Sequence, residues 1–250
     1  MSTSSSRSPD SPAAGEPISA LAGLVAPLRA ALVVVAHPDD ESFGLGAVLR
    51  ALVEAGMEVR LLCLTAGEAS TVGAGPALVE QRRREVLAAA AVLGLASVRL
   101  EALPDGRLSS VPLGELSGMV EEELGDARLL VGFERLGVTG HPDHAAATAA
   151  ALRVALSRGL ASLEWGVPDE IAARVRAQVP TRFTGFARGA GVPRLVQVDR
   201  VVQERAIACH LSQDPHNLVL RARLALQGDR EWLRLVHRGV RLRRTRPGRT

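Results

Sequence analysis

Residues 31–41 read Ala31-Leu-Val-Val-Val-Ala-His-Pro-Asp-Asp-Glu41, and the fold turns on how this stretch is read. Six apolar residues, with valines at 33, 34 and 35, are closed off by a proline two positions on. A run this short and β-branched is a buried strand rather than a helix. A histidine and two aspartates therefore emerge where the strand ends. Open α/β sheets gather their ligand-binding groups at the carboxyl ends of strands. Far downstream a second knot of the same chemistry appears, His141-Pro-Asp143-His144.

Outward from this strand the chain alternates. Residues 44–56 read as a helix with Leu45, Val48, Leu49 and Leu52 on one face, and Glu58–Thr65 as a second strand. Pro76–Gly94 is a long helix, started by proline and stopped by glycine. Ser97–Leu100 is a short strand, Pro112–Gly125 an amphipathic helix, and Arg128–Phe133 another strand. An alanine-rich helix runs from His141 to about Ser157. This alternation predicts an α/β fold, a doubly wound, mostly parallel sheet with helices on both faces. Beyond it, Arg174–Arg194 is irregular, Leu195–Val198 reads as a late strand, and Val201–Leu211 and Val219–Val236 read as helices. Met1 to Glu16 is rich in Ser, Pro and Ala and reads as disordered. Residues 1–30 are accordingly assigned to a leader, 31–237 to one domain, and 238–250 to a basic tail.

Composition narrows the chemistry. The chain has 250 residues, 47% of them hydrophobic, enough for a sizeable core. Lysine is absent and all 30 basic residues are arginine, which excludes Schiff-base chemistry on lysine. Tyrosine is also absent, which removes one common proton donor. The net charge is only +3, and the arginines of the tail (238, 241, 243, 244, 246 and 249) form a local basic feature rather than a basic domain. They can bind phosphates weakly, without specificity for nucleic acid. Two cysteines, Cys63 and Cys209, form no disulfide framework and fit a reducing cytoplasm. No run of eighteen or more apolar residues predicts a membrane span. Ile18–Leu28 is mildly apolar but lacks the basic flank of a signal peptide.

The two knots together have the spacing of a metal site. His37 and Asp40 stand three apart at a strand-to-helix turn, so both side chains can face one point. His144 would join them from the second loop. Two imidazoles and a carboxylate suit Zn²⁺ with a position left for water, and Fe²⁺ suits the same ligands. Such a site lowers the pKa of bound water from 15.7 to about 7. Asp39 is then the spare carboxylate, a general base to water and an acid to the leaving group. His141 is free to polarise a carbonyl, and Asp143 could hold it protonated. A plainer reading makes Asp39 or Asp40 a helix cap, with Asp143 and His144 likewise capping the second helix. Two such knots, each after a strand of one sheet, favour the metal.

With these residues in view, the chain resembles the PIG-L/LmbE-like zinc N-deacetylases. The resemblance rests on AHPDDE (36–41), LTAGE (Leu64–Glu68), Arg82-x-x-Glu85 on a helix ending in Leu-Gly, and GHPDH (140–144). It continues in Pro104-Asp-Gly106 and in Arg205-Ala-Ile-Ala-Cys-His210-Leu-Ser-Gln213, and spans about Leu32 to Leu235. The resemblance implies a Rossmann-like fold, with His37, Asp40 and His144 as zinc ligands and Asp39 as general base. It makes His141 the oxyanion stabiliser, oriented by Asp143. It also puts Arg82 on the substrate, Glu68 at the rim and His210 close to the pocket. The implied substrate is an N-acetylglucosaminyl conjugate or a related small amide. Relatives in the mycothiol branch carry a tyrosine in the loop before the second motif, where this chain has Glu134-Arg-Leu-Gly-Val-Thr-Gly140.

Other readings stay open on sequence alone. An amidase acting on a larger thiol or antibiotic conjugate would use the same zinc chemistry. A non-catalytic binding protein could keep the fold, although the complete set His37, Asp39, Asp40, His141 and His144 argues for catalysis. Self-association is open. Gly44 and Gly46 do not make a dinucleotide fingerprint, because the spacing fails. Trp165 and Trp232 read as packing residues, with Trp165 alternatively at the pocket rim.

Overall fold

The structure is a computed structural model that describes residues 15–70, 75–187, 191–213 and 217–236. Its strands are β1 (Glu16–Pro17), β2 (Ala30–Val35), β3 (Glu58–Thr65), β4 (Ser97–Leu103), β5 (Leu129–Phe133), β6 (Ala161–Gly166), β7 (Arg194–Gln197) and β8 (Arg230–Val236). Its α-helices are α1 (Ile18–Val25), α2 (Asp40–Phe43), α3 (Gly46–Glu54), α4 (Pro76–Leu93), α5 (Leu113–Leu124), α6 (Pro142–Arg158), α7 (Asp169–Gln178), α8 (Val201–Ile207) and α9 (Leu218–Gln227). The strands form one sheet in the order β1-β7-β8-β6-β5-β2-β3-β4. The five strands from β6 to β4 are mutually parallel, β8 runs antiparallel to β6 and β7, and β1 is parallel to β7. The expected α/β architecture is therefore present.

Strand β2 lies in the middle and is buried along its whole length. Ala31, Val33 and Val35 pack on one face among residues of α1, α3, α4 and α7. Leu32 and Val34 pack on the other, among residues of α5 and α6. Burial on both faces is why this strand reads as a continuous apolar run rather than an alternation. From β2 the chain winds outward through β3 and β4, then returns to place β5 on the other side of β2. The order reverses between β2 and β5, and the crevice at such a switch point is where ligands bind in open sheets. The two histidine-aspartate knots follow these two strands.

Several sequence expectations are corrected. Residues 16–28, assigned to a leader, instead form β1, α1 and a closing 3-10 turn at Ala26–Leu28, and α1 buries Leu21, Ala22 and Val25 in the main core. Residues 1–14 and the arginine tail lie outside the described residues. The helix expected at Val219–Val236 is a helix followed by a strand. Gly228, at φ 58°, ends α9, and Arg230–Val236 pairs with β6 and β7. The left-handed conformation costs glycine nothing and stops the helix. Strand β6 and helix α7 carry no strong periodic signal and were not predicted. The predicted helix at 44–56 begins earlier as the single turn α2, which carries Asp40, and resumes as α3. Among the described residues no helix is long and apolar enough to cross a membrane.

Candidate metal centre

The carboxylate of Asp40 is pinned where β2 ends. Its Oδ2 accepts the backbone N–H groups of Ala36 and His37, at 3.2 and 2.9 Å. The next residues then turn directly into α2. Helix α6 starts just after β5 and brings His144 from the neighbouring strand. His37 Nδ1 and His144 Nε2 lie 3.0 Å apart, Asp40 Oδ1 is 3.2 Å from His144 Nε2, and Asp40 Oδ2 is 3.7 Å from His37 Nδ1. His141 adds a third imidazole, its ring centroid 4.7 Å from that of His37 and 5.2 Å from that of His144.

The outer nitrogens of these rings show which nitrogen is free to bind. His144 Nδ1 is 3.0 Å from the carbonyl oxygen of Gly137 and 2.9 Å from Thr139 Oγ1. A carbonyl only accepts, so Nδ1 carries the proton and the Nε2 lone pair faces inward. On His37 the outer nitrogen Nε2 is 3.0 Å from Asp105 Oδ1 and 3.5 Å from Asp143 Oδ2. Its Nδ1 is left facing His144 and Asp40. A histidine whose far nitrogen is held by a carboxylate or carbonyl is the usual arrangement of a metal-ligating imidazole.

Two inward imidazole nitrogens and a carboxylate at this spacing require a cation or a proton among them. The separations are close to the roughly 3.3–3.6 Å edge of a tetrahedron with bonds of about 2.0–2.2 Å. The metal-free electrostatics point the same way. Burial alone would lower the pKa of His37, but Asp105 and Asp143, with Asp40 and Asp39 beyond, push it up to about 10. Burial would raise Asp40, yet His144 and His37 hold it well below the usual carboxylate range. The residues thus fit a divalent cation, and a proton on His37 stands in for its charge.

Asp39 lies beside this cluster. Burial raises its carboxyl to about 6, against the pull of Arg82. Arg82 is buried rather than placed at a rim. Its guanidinium donates to Gly67 O at 3.0 Å, to Pro38 O at 2.9 Å and to Asp39 Oδ2 at 3.2 Å. Gly67, at φ 71°, has to be glycine, since a Cβ there would lie 2.5 Å from the Arg82 guanidinium. This accounts for the glycine of the LTAGE stretch. Glu68 accepts the Asp105 N–H at 2.8 Å and is not among the residues lining the cavity, so it fixes the Asp105 turn. His210 is fully buried beneath α2, with Nε2 2.7 Å from Glu41 Oε1. It too stands off the cavity wall.

The expected pairing of Asp143 with His141 differs in the structure. The Asp143 carboxylate accepts Gly106 N–H at 2.7 Å and Leu108 N–H at 3.0 Å, and faces His37. Only its backbone N–H meets His141, donating to Nδ1 at 3.2 Å. Position two of a helix points its side chain back toward the preceding loops, here the β4 turn. His141 is therefore not held protonated. Burial and the neighbouring imidazoles of His37 and His144 push its pKa down. With Nδ1 accepting, the proton of the neutral ring sits on Nε2.

Sequence reasoning missed Asp105, Thr139 and Glu41. Asp105 sits in the quoted Pro104-Asp-Gly106, which was the signal available. The Thr139 loop holds Val138 at φ 56°. That is a strained conformation for a β-branched residue. The Thr184 N–H and hydroxyl both donate to the Val138 carbonyl and hold it there.

Fold and centre together describe an α/β protein with a histidine-aspartate cation site at the switch point of its sheet. Residues 32–155 match the profile of the PIG-L family, described as GlcNAc-PI de-N-acetylase. The chain is 32% identical over 181 residues to a 1D-myo-inositol 2-acetamido-2-deoxy-alpha-D-glucopyranoside deacetylase of Kineococcus radiotolerans, covering 58% of this chain and 50% of that protein. It is 31% identical over 125 residues to a probable N-acetyl-alpha-D-glucosaminyl L-malate deacetylase 2 of Bacillus anthracis, covering 46% of this chain and 54% of that one. The chain thus spans about half the length of these two curated relatives. Among solved structures, the A40926 pseudoaglycone deacetylase superposes with a TM-score of 0.61 at 22% identity, covering 86% of this chain and 99% of that one. That likeness concerns the fold.

Proposed function

We propose that this protein is a metal-dependent hydrolase that removes an N-acyl group from an amino-sugar conjugate. The observation that carries the reading is the inward convergence of His37 Nδ1, His144 Nε2 and the Asp40 carboxylate, with the Asp39 carboxylate beside them, held by Arg82. The deacetylase names of the two curated relatives supply the substrate class. His37, Asp40 and His144 would hold the ion, with Zn²⁺ the first candidate and Fe²⁺ compatible. When bound there, a divalent cation polarises the amide carbonyl and makes water acidic enough to react at neutral pH.

The chain's own residues supply the rest. Asp39, with a pKa near 6, is ionised at neutral pH and accepts a proton from the attacking water. The water oxygen bonds to the carbonyl carbon, and the carbonyl oxygen takes up negative charge. His141 Nε2–H donates a hydrogen bond to that oxygen as a neutral ring. The C–N bond then breaks, and Asp39 returns its proton to the departing nitrogen. The products are a carboxylate and a free amine. Arg82 keeps Asp39 in place and also ties down the Pro38 and Gly67 carbonyls.

The test is amine release measured across a panel of N-acetylglucosaminyl conjugates, before and after chelation, with metal content from elemental analysis. About one divalent ion per chain and chelator-sensitive hydrolysis are expected, and His144→Ala should lose most of the metal. Full metal retention in that variant, or hydrolysis indifferent to chelation, rules the proposal out.

A further inference from the structure

The cavity above the metal centre has a volume of about 440 Å³, and its two ends differ in chemistry. Sheet order explains why. His37 and Asp40 follow β2 and His144 follows β5, so the centre straddles the middle of the sheet. Toward β3 and β4 lie Arg82, Asp105 and Ser70, with Gln213 across from them. On the opposite flank, toward β6 and β8, the walls are Phe43, Phe133, Trp165, Phe183 and Leu220, with the buried Arg223 guanidinium stacked over Trp165 at 5.1 Å and its charge turned toward Glu231 and the Phe43 carbonyl. The aromatic end begins directly at the centre. The ring of Phe133 is 4.9 Å from that of His144, and Trp165 is 5.3 Å beyond. Gly44 gives this end its room, since a Cβ there would lie 2.5 Å from the Phe133 ring.

We infer that the acyl group this protein removes is larger and more apolar than acetyl, with its chain extending along Phe133 and Trp165. The inference rests on the hydrolase reading, which fixes the direction of the substrate. Asp39 must return its proton to the departing nitrogen, and Asp39 stands on the polar flank, paired with Arg82 at 3.2 Å. The amine and its sugar hydroxyls therefore lie on the β3–β4 side, where carboxylate, guanidinium and amide groups can pair with them. The acyl group points the other way, into the aromatic end. A methyl group cannot cover walls contributed by five side chains, and apolar surface left wet there gains nothing from binding. Each added methylene that leaves water contributes roughly a fourfold gain.

The experiment compares N-acetyl-, N-butyryl-, N-hexanoyl- and N-benzoyl-glucosamine conjugates as substrates of the metal-loaded protein. kcat/KM should climb from acetyl to hexanoyl by about tenfold or more. Val219→Phe, on the partly exposed first turn of α9 at the cavity wall, should lower the hexanoyl-to-acetyl ratio. Binding of N-hexanoyl- and N-acetyl-glucosamine to the Asp39→Asn protein, followed by calorimetry, gives a second reading that needs no turnover. Hexanoyl should bind at least tenfold more tightly. Acetyl hydrolysed as well as or better than hexanoyl overturns the inference while leaving the hydrolase intact. If no conjugate is hydrolysed the hydrolase reading fails, and equal binding of the two sugars then removes the apolar subsite as well.

Discussion

Replacing Asp143 by asparagine separates two roles that its position allows. In the structure its carboxylate is fully buried, accepts two backbone N–H groups at 2.7 and 3.0 Å, and faces His37 Nε2 at 3.5 Å. Asparagine keeps one acceptor oxygen and replaces the other by an NH₂. One of the Gly106 and Leu108 N–H groups then meets a donor, and an unpaired buried donor costs about 1–3 kcal/mol of stability. The negative charge facing His37 is also lost, leaving Asp105 as its carboxylate partner. Loss of such an outer partner weakens metal binding by roughly 10–100-fold. Asp143→Asn should therefore raise the metal Kd by that factor, read by competition with a chromogenic chelator. At saturating metal, kcat should stay within a fewfold of the parent, because His141 receives only the backbone N–H of residue 143. An unchanged metal Kd together with a hundredfold fall in kcat would refute this reasoning. It would return the carboxylate to the role of orienting His141.

Asp39→Asn should keep its metal and lose roughly 10²–10⁴ in kcat, the range for a general base, as judged by elemental analysis beside steady-state rates. Arg82→Ala strips three hydrogen bonds from Gly67, Pro38 and Asp39 and should lower stability by about 3 kcal/mol in denaturant unfolding, with most of the metal affinity kept. A parent-like midpoint would show Arg82 to be dispensable to the loop. His37, raised from 6.5 to about 10, binds a proton in the folded chain that the unfolded chain has released. Its stabilisation is complete below about pH 6.5 and is lost as pH rises toward 10, so the Tm of chelated protein should fall across that window. A bound divalent ion replaces the proton, so the metal-loaded Tm should fall less. Parallel curves would exclude that exchange.

Much of this molecule is written locally in the chain. The run 31–36 is apolar throughout because β2 is buried on both faces, and proline ends it, so strand and site were both legible. Pro76 and Gly94 bracket α4 for equally local reasons. The knots His37–Asp40 and His141–His144 follow strands that become neighbours at the switch point, and that neighbourhood follows from the winding of a parallel sheet. The C-terminal third was less legible. Leu218–Val236 carries apolar residues at spacings compatible with helix, and Gly228 decides the break only because an edge of β6 is there to receive β8. Likewise Leu21, Ala22 and Val25 look like part of a leader until α1 has a core to bury them in.

The choice of partners was settled by tertiary structure alone. Asp143 stands two residues from His141 in sequence, yet its carboxylate faces His37, because the first turn of α6 aims it at the β4 turn. Arg82 is followed by two exposed arginines, Arg83 and Arg84, but its place on the helix turns it inward beneath the Asp39 loop. The aromatic end of the cavity draws Phe43, Phe133, Trp165, Phe183 and Leu220 from separate segments, so no window of sequence contains it. Periodicity and turn chemistry act over a few residues and fix elements and motifs. Which buried charge meets which imidazole depends on side chains far apart in sequence that only the folded sheet brings together.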